Sequence, residues 1–163
     1  FRQKPTAVHA GVYFYEKLKN YFVTECQLGA MYFYTGRVGD NQKQVAFLKK
    51  LEKLDYIVKS KEVKRIKVSE NNYEWKGNLD VELTIGVLAN LGNFDTLILM
   101  SGDSDFASLL DEVKARGKRV IVMSTKGHVA KELLDRAKYL NLKKLKKVIS
   151  WEQKIPPPKR GEV

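Results

Sequence analysis

The sequence predicts an α/β domain of three layers with a mainly parallel central sheet, and two patterns carry the prediction. Apolar runs without polar alternation, LGAMYFY at 28–34, TLILM at 96–100 and RVIVM at 119–123, read as strands covered on both faces. Between them lie segments whose apolar residues recur at helical spacing, the order expected when helices cross over parallel strands. Each run stops at polar residues. In open α/β sheets, ligands bind beyond the carboxyl ends of the strands, so those stops are where function is sought.

Taken in order, residues 1–11 lack periodicity, contain Pro5 and read as a loop. Tyr15, Leu18, Tyr21 and Phe22 define an amphipathic helix over 13–23. The strand at 28–34 ends in Thr35, Gly36 and Arg37, where Thr35 is a turn residue or a hydrogen-bond partner for a phosphate or a metal-bound water. Val45, Phe47, Leu48, Leu51 and Leu54 give a helix over 42–54 whose other side carries Lys43, Lys49, Lys50 and Lys53. Residues 55–60 read as a strand. Residues 63–68 alternate apolar and basic side chains, 69–72 supply a turn, and Tyr73, Glu74, Trp75 and Lys76 complete a hairpin. Such a hairpin is either a plain sheet edge or a nucleic-acid contact, since bases stack on aromatics while cations hold phosphates.

Gly77 and Asn78 break the chain before a helix that Asp80 opens and Val81, Leu83, Thr84, Val87, Leu88 and Leu91 continue. Gly86 in its middle costs about 1 kcal/mol relative to Ala. After the strand at 96–100, Ser101 and Gly102 turn the chain, and a helix runs through Phe106, Leu109, Leu110 and Val113 to Gly117. The strand at 119–123 has a polar tip, Ser124 to His128, leading into a helix through Val129, Leu133, Leu134 and Ala137. His128 reads as a helix-start residue or a base. Lys143, Lys144, Lys146 and Lys147 precede a short apolar segment, Val148 and Ile149, and the tail with Pro156, Pro157 and Pro158 reads as extended or flexible. The expected organisation is one domain over 1–150 and a basic, Pro-containing tail over 151–163.

Composition narrows the chemistry. A chain of 163 residues that is 44% hydrophobic suits one domain with a proper core. A net charge of +11 and a pI near 9.6 favour a polyanionic partner, nucleic acid before an acidic membrane surface. Cys26 is the only cysteine, which rules out an internal disulfide and a cysteine zinc cluster, and His9 and His128 are the only histidines, a poor supply for a His zinc site or a Ser–His–Asp triad. Catalysis must rest on Asp, Glu, Lys and Ser. The sequence has no long apolar span and no signal-peptide pattern, so a cytoplasmic protein without membrane contact is expected.

Asp103 and Asp105 stand where the 96–100 strand delivers the chain to the sheet edge. Either could serve as a helix cap. Two carboxylates close together repel unless a cation or a proton lies between them, and a divalent ion is the useful answer.

These residues add up to a resemblance. LMSGDSDFASLLDEVKARGKRVIVM resembles the signature of the NYN domain, in the LabA-like branch of the PIN-like nucleases. NLDVELTIGVL resembles the helix that precedes that signature, and GAMYFYTG and FLKKLEKLDYIVKSK are similar to the family's second strand, following helix and third strand. The resemblance implies a Rossmann-like α/β/α fold and metal-dependent ribonuclease activity. It implies that Asp80, Asp103 and Asp105 line a divalent-metal site, one that oxygen-preferring Mg²⁺ or Mn²⁺ would accept. The family begins with a strand ending in Asp-Gly-x-Asn, whose Asp is a principal metal ligand. Phe1, Arg2, Gln3 and Lys4 resemble the residues that follow that motif, so the given sequence is expected to start just downstream of it. Gly86 stands where relatives often place an acid.

On this reading Asp80 and Asp103 hold metal, Asp105 holds metal or its water, and Ser101 or Ser104 orients the phosphate. Arg37, Lys43, Lys76 and Lys126 are expected at the RNA backbone because they lie at or near strand tips. The expected substrate is single-stranded or structured RNA, read with little sequence preference. The competing class is a catalytically impaired module of the same fold that binds RNA or a protein without cutting. A phosphatase acting on small esters is a third, which the basic excess disfavours.

Overall fold

The first helix, α1 (Ala7–Glu25), precedes β1 (Met31–Arg37), α2 (Gln42–Lys53) and β2 (Tyr56–Glu62). The computed structural model of the chain describes residues 7–70 and 72–145, without the side chains of 7–11, 65, 66, 68 and 72–76. A hairpin of β3 (Lys64–Ser69) and β4 (Asn72–Lys76) follows. Then come α3 (Asp80–Ala89), β5 (Thr96–Leu99), α4 (Ala107–Ala115), β6 (Arg119–Ser124), α5 (Lys131–Leu134) and β7 (Lys138–Asn141).

β1 and β2 are parallel, from Met31 opposite Tyr56 to Arg37 opposite Glu62. β5, β6 and β7 form a second parallel sheet in that order, and β3 pairs antiparallel with β4 alone. Helix α1 packs on both parallel sheets. On one face Leu18 and Phe22 of α1 pack with Met123 and Leu145, against Met31 of β1 and Ile98 of β5. Tyr15 of the same helix meets Phe33, Phe47 and Tyr56 edge-on, with centroids 5.2, 5.9 and 5.8 Å away. The Tyr56 hydroxyl donates to the Tyr15 carbonyl at 2.7 Å, and burial raises the pKa of both phenols. On the opposite face Leu83 and Val87 of α3 join Leu109, Leu110 and Val113 of α4 against Leu99, Val120 and Val122. Neighbouring residues of β5 and β6 thus face different clusters, as a pleated strand between two helical layers requires. The fold is α/β/α with parallel sheets. Among the described residues β1 pairs only with β2 and β5 only with β6, which leaves one edge of each without a partner.

Several boundaries differ from the sequence expectations. Helix α1 begins at Ala7, inside the segment expected to be a loop. Strand β1 continues through Thr35, Gly36 and Arg37 because its ladder to β2 runs on to Glu62, so these residues are part of the strand and not a tip beyond it. The helix expected after His128 is confined to Lys131–Leu134, and the chain then enters β7, which was not expected. The hairpin at 64–76 forms as anticipated. Val148, Ile149 and the tail lie outside the described residues. Among those described, no helix is long and apolar enough to cross a membrane.

Candidate metal centre

Asp80 enters the site from the first residue of α3. Asn78 prepares it: the Asn78 side-chain oxygen accepts from the Asp80 amide at 2.8 Å, and its Nδ2 donates to Asp80 Oδ2 at 2.6 Å. The Asn78 side chain, one residue before the Leu79 cap position, therefore engages both the first amide of α3 and the Asp80 carboxylate and so orients the latter. The free amides of the first turn favour a negative charge at this position.

Asp103 and Asp105 come from the turn after β5. Ser101 Oγ accepts from the Asp103 amide at 3.1 Å, and Asp103 Oδ1 accepts from the Asp105 amide at 3.0 Å. Asp103 is therefore the cap of the short 3-10 turn Ser104–Phe106 that leads into α4, and the Asp105 carboxylate has no capping role. The turn is pinned from outside. A Cβ on Gly102 would collide with the His128 carbonyl, and the Gly102 carbonyl accepts from the Ala130 amide at 2.9 Å. Ser124 Oγ donates to the same His128 carbonyl at 2.9 Å, so the loops after β5 and β6 lock together through the backbone.

The outcome is a cluster. One carboxylate oxygen from each of Asp80, Asp103 and Asp105 lies within 4.8 Å of the other two, with Asp80 half-buried and the other two exposed. The donor set is oxygen alone, which suits a hard divalent ion such as Mg²⁺ or Mn²⁺. Ion pairs form elsewhere, between Lys19 and Asp55, Lys61 and Glu82, Lys118 and Asp95, Arg116 and Glu112, and Arg136 and Asp111. A wider pattern supports the cluster: no Lys or Arg occurs between Lys76 and Lys114, although the chain carries a net charge of +11. That gap in the cations spans all three aspartates and is legible in the sequence.

The remaining candidates divide. Ser104 is exposed beside the aspartates, while Ser101 is half-buried and holds the turn. Thr35 Oγ donates to the Gly36 carbonyl at 3.1 Å. Arg37, Lys43 and Lys126 are exposed at the end of β1, in the first turn of α2 and in the loop after β6. The backbone of Lys76 ends β4, and its side chain lies outside those described. His128 sits exposed in the loop before α5 and contributes its carbonyl.

Two features near the site were missed. Lys61 at the end of β2 donates to Glu82 Oε1 at 2.6 Å and ties β2 to the first turn of α3. This contact lowers the Glu82 pKa, and the other oxygen, Oε2, is shielded without a partner among the described residues. Val63 packs against both Gly36 and Gly77, so the root of the hairpin is wedged between β1 and the approach to α3.

Residues 4–143 match the NYN domain. The chain is 31% identical over 146 residues to the low amplitude and bright protein LabA of Synechococcus elongatus, covering 86% of this chain and 78% of LabA. Its fold resembles the crystal structure of a protein of unknown function from Vibrio parahaemolyticus, with a TM-score of 0.64 and 24% identity over 78% of this chain and 76% of that one.

Proposed function

Because the chain belongs to the NYN domain family, we propose that it is a divalent-metal-dependent ribonuclease that hydrolyses RNA phosphodiester bonds at Asp80, Asp103 and Asp105. The observation that carries this reading is the convergence of three carboxylates within 4.8 Å in an otherwise basic chain. A bound Mg²⁺ or Mn²⁺ would polarise a phosphoryl oxygen and lower the pKa of the attacking water. Asp80 and Asp103 hold the ion, kept in place by Asn78 and by the capped turn. Asp105, free of capping, holds the ion or accepts the proton of the water. Ser101 or Ser104 orients the phosphate, and Arg37, Lys43, Lys76 and Lys126 neutralise the flanking backbone. Among the described residues β1 and β5 each have an edge without a partner, and α1 packs on both strands.

The test is cleavage of a labelled single-stranded RNA by the full-length protein, with Mn²⁺ or Mg²⁺ against EDTA, and with Asp103→Asn beside the wild type. Metal-dependent cutting that the variant loses is the expected result. RNA that is retained in a salt-sensitive manner but never cut would sink the proposal and make the protein a binding module.

A further inference from the structure

The β3–β4 hairpin belongs to neither parallel sheet, and its base adjoins the acid cluster: it leaves the end of β2 at Val63 and returns through Gly77 to Asp80. Its register sets Arg65 opposite Trp75 and Lys67 opposite Tyr73. Residues directly opposite each other in an antiparallel pair share a face, and positions two apart on a strand return to that face. Arg65, Lys67, Tyr73 and Trp75 therefore occupy one face of the hairpin, while Ile66 and Glu74 take the other. The register shift between Lys67 and Ser69 lies beyond both pairs and leaves this arrangement intact.

From this juxtaposition we propose that the hairpin is a second RNA-binding site, a stacking platform that selects single-stranded RNA and hands it to the acid cluster. The proposal rests on the ribonuclease reading for its choice of partner. Aromatic residues offer faces to any base, and cations beside them take the phosphates. Here a cation stands across the ladder from each aromatic, and the two aromatic positions are about 7 Å apart along β4. That arrangement matches a ligand in which bases and phosphates alternate. A duplex hides the faces of its bases and offers this platform only phosphates, so the hairpin favours unpaired RNA.

The test uses a Trp151→Phe background, in which Trp75 is the remaining one of the 2 tryptophans, and titrates the full-length protein with a short oligo(U) in EDTA. The expected result is saturable quenching of Trp75 fluorescence, with none from a duplex of the same length. Trp75→Ala and Tyr73→Ala should each weaken binding, read by anisotropy of labelled oligo(U), about 10-fold. Lys67→Ala, at an exposed position, should keep the fold and lower the slope of log K against log salt by about one. Unchanged affinity in Trp75→Ala together with an unchanged slope in Lys67→Ala would overturn the platform, as would equal quenching by the duplex. EDTA removes hydrolysis from the measurement, so a failure of the nuclease reading registers separately, as uncut RNA in the metal assay.

Discussion

The Tyr34 hydroxyl occupies the space over Gly86 of α3 that a Cβ there would claim. The glycine costs the helix some propensity but lets α3 sit down on β1, with Asp80 at the near end of the same helix. Tyr34 is in turn held by Tyr32, whose ring stacks on it at 6.2 Å, and burial raises the Tyr34 pKa. The space above this glycine is thus filled by a phenol from the sheet.

Gly86→Ala should lower unfolding free energy by about 1 kcal/mol in urea denaturation. Crowding Tyr34 costs roughly 1–3 kcal/mol, against about 1 kcal/mol gained in helix propensity. Combining it with Tyr34→Phe, which removes the clashing hydroxyl, should give a double variant more stable than the sum of the single effects implies.

Gly102→Ala should be more severe, because the obstacle is the His128 backbone and not the end of a side chain. A loss of at least about 2 kcal/mol is expected from displacing one of the two interlocked loops. Thermal unfolding checks the loss, and a weakened response to added Mn²⁺ checks that Asp103 and Asp105 have moved.

Removing charge and removing the cap are separable at Asp103. Asparagine keeps a side-chain oxygen for the Asp105 amide, whereas alanine should cost about 1 kcal/mol through the lost cap. Mn²⁺ at about 100 times its Kd should stabilise the wild type by about 2.7 kcal/mol, and both variants should lose most of that gain. Calorimetric scans with and without Mn²⁺ measure all of these differences.

Alkaline stability should report the aromatic layer beneath the sheet. Burial raises the Tyr56 pKa above its ordinary 10.0, so above that pH the unfolded chain releases a proton that the folded chain retains. Stability is therefore complete below about pH 10 and falls above it. Tyr56→Phe should lose about 1 kcal/mol at neutral pH with the bond to Tyr15, and decline less steeply above pH 10, in denaturant titrations across that range.

How much of this was legible depended on whether a signal was local. The runs 96–100 and 119–123 announce β5 and β6 because both strands are covered on two faces. β7 was missed because KYLN is short and opens on a lysine, and its pairing to β6 is a tertiary fact. The helical start of α1 was hidden by the absence of apolar periodicity before Tyr13. Asp103 and Asp105 could be read from their own stretch, but which of them caps could not, since the motif offers both and the 3-10 turn chooses Asp103. Asp80 reached the cluster only through resemblance, because no local pattern brings the start of α3 to the end of β5. Gly86 reads as an isolated oddity and Gly102 as a plain turn residue until what lies above them, Tyr34 and the His128 carbonyl, is seen.

Among the described residues the hairpin shares no ladder with either parallel sheet, and Val63 moors it through its two glycine neighbours and its amide's hydrogen bond to the Arg37 carbonyl. Its opening can be uncoupled from that of the domain. Amides of β3 and β4 should exchange with solvent by local opening, at free energies well below those of β5 and β6, whose exchange requires global unfolding. The arm beside the acid cluster can then yield to an incoming strand while the carboxylates stay in register.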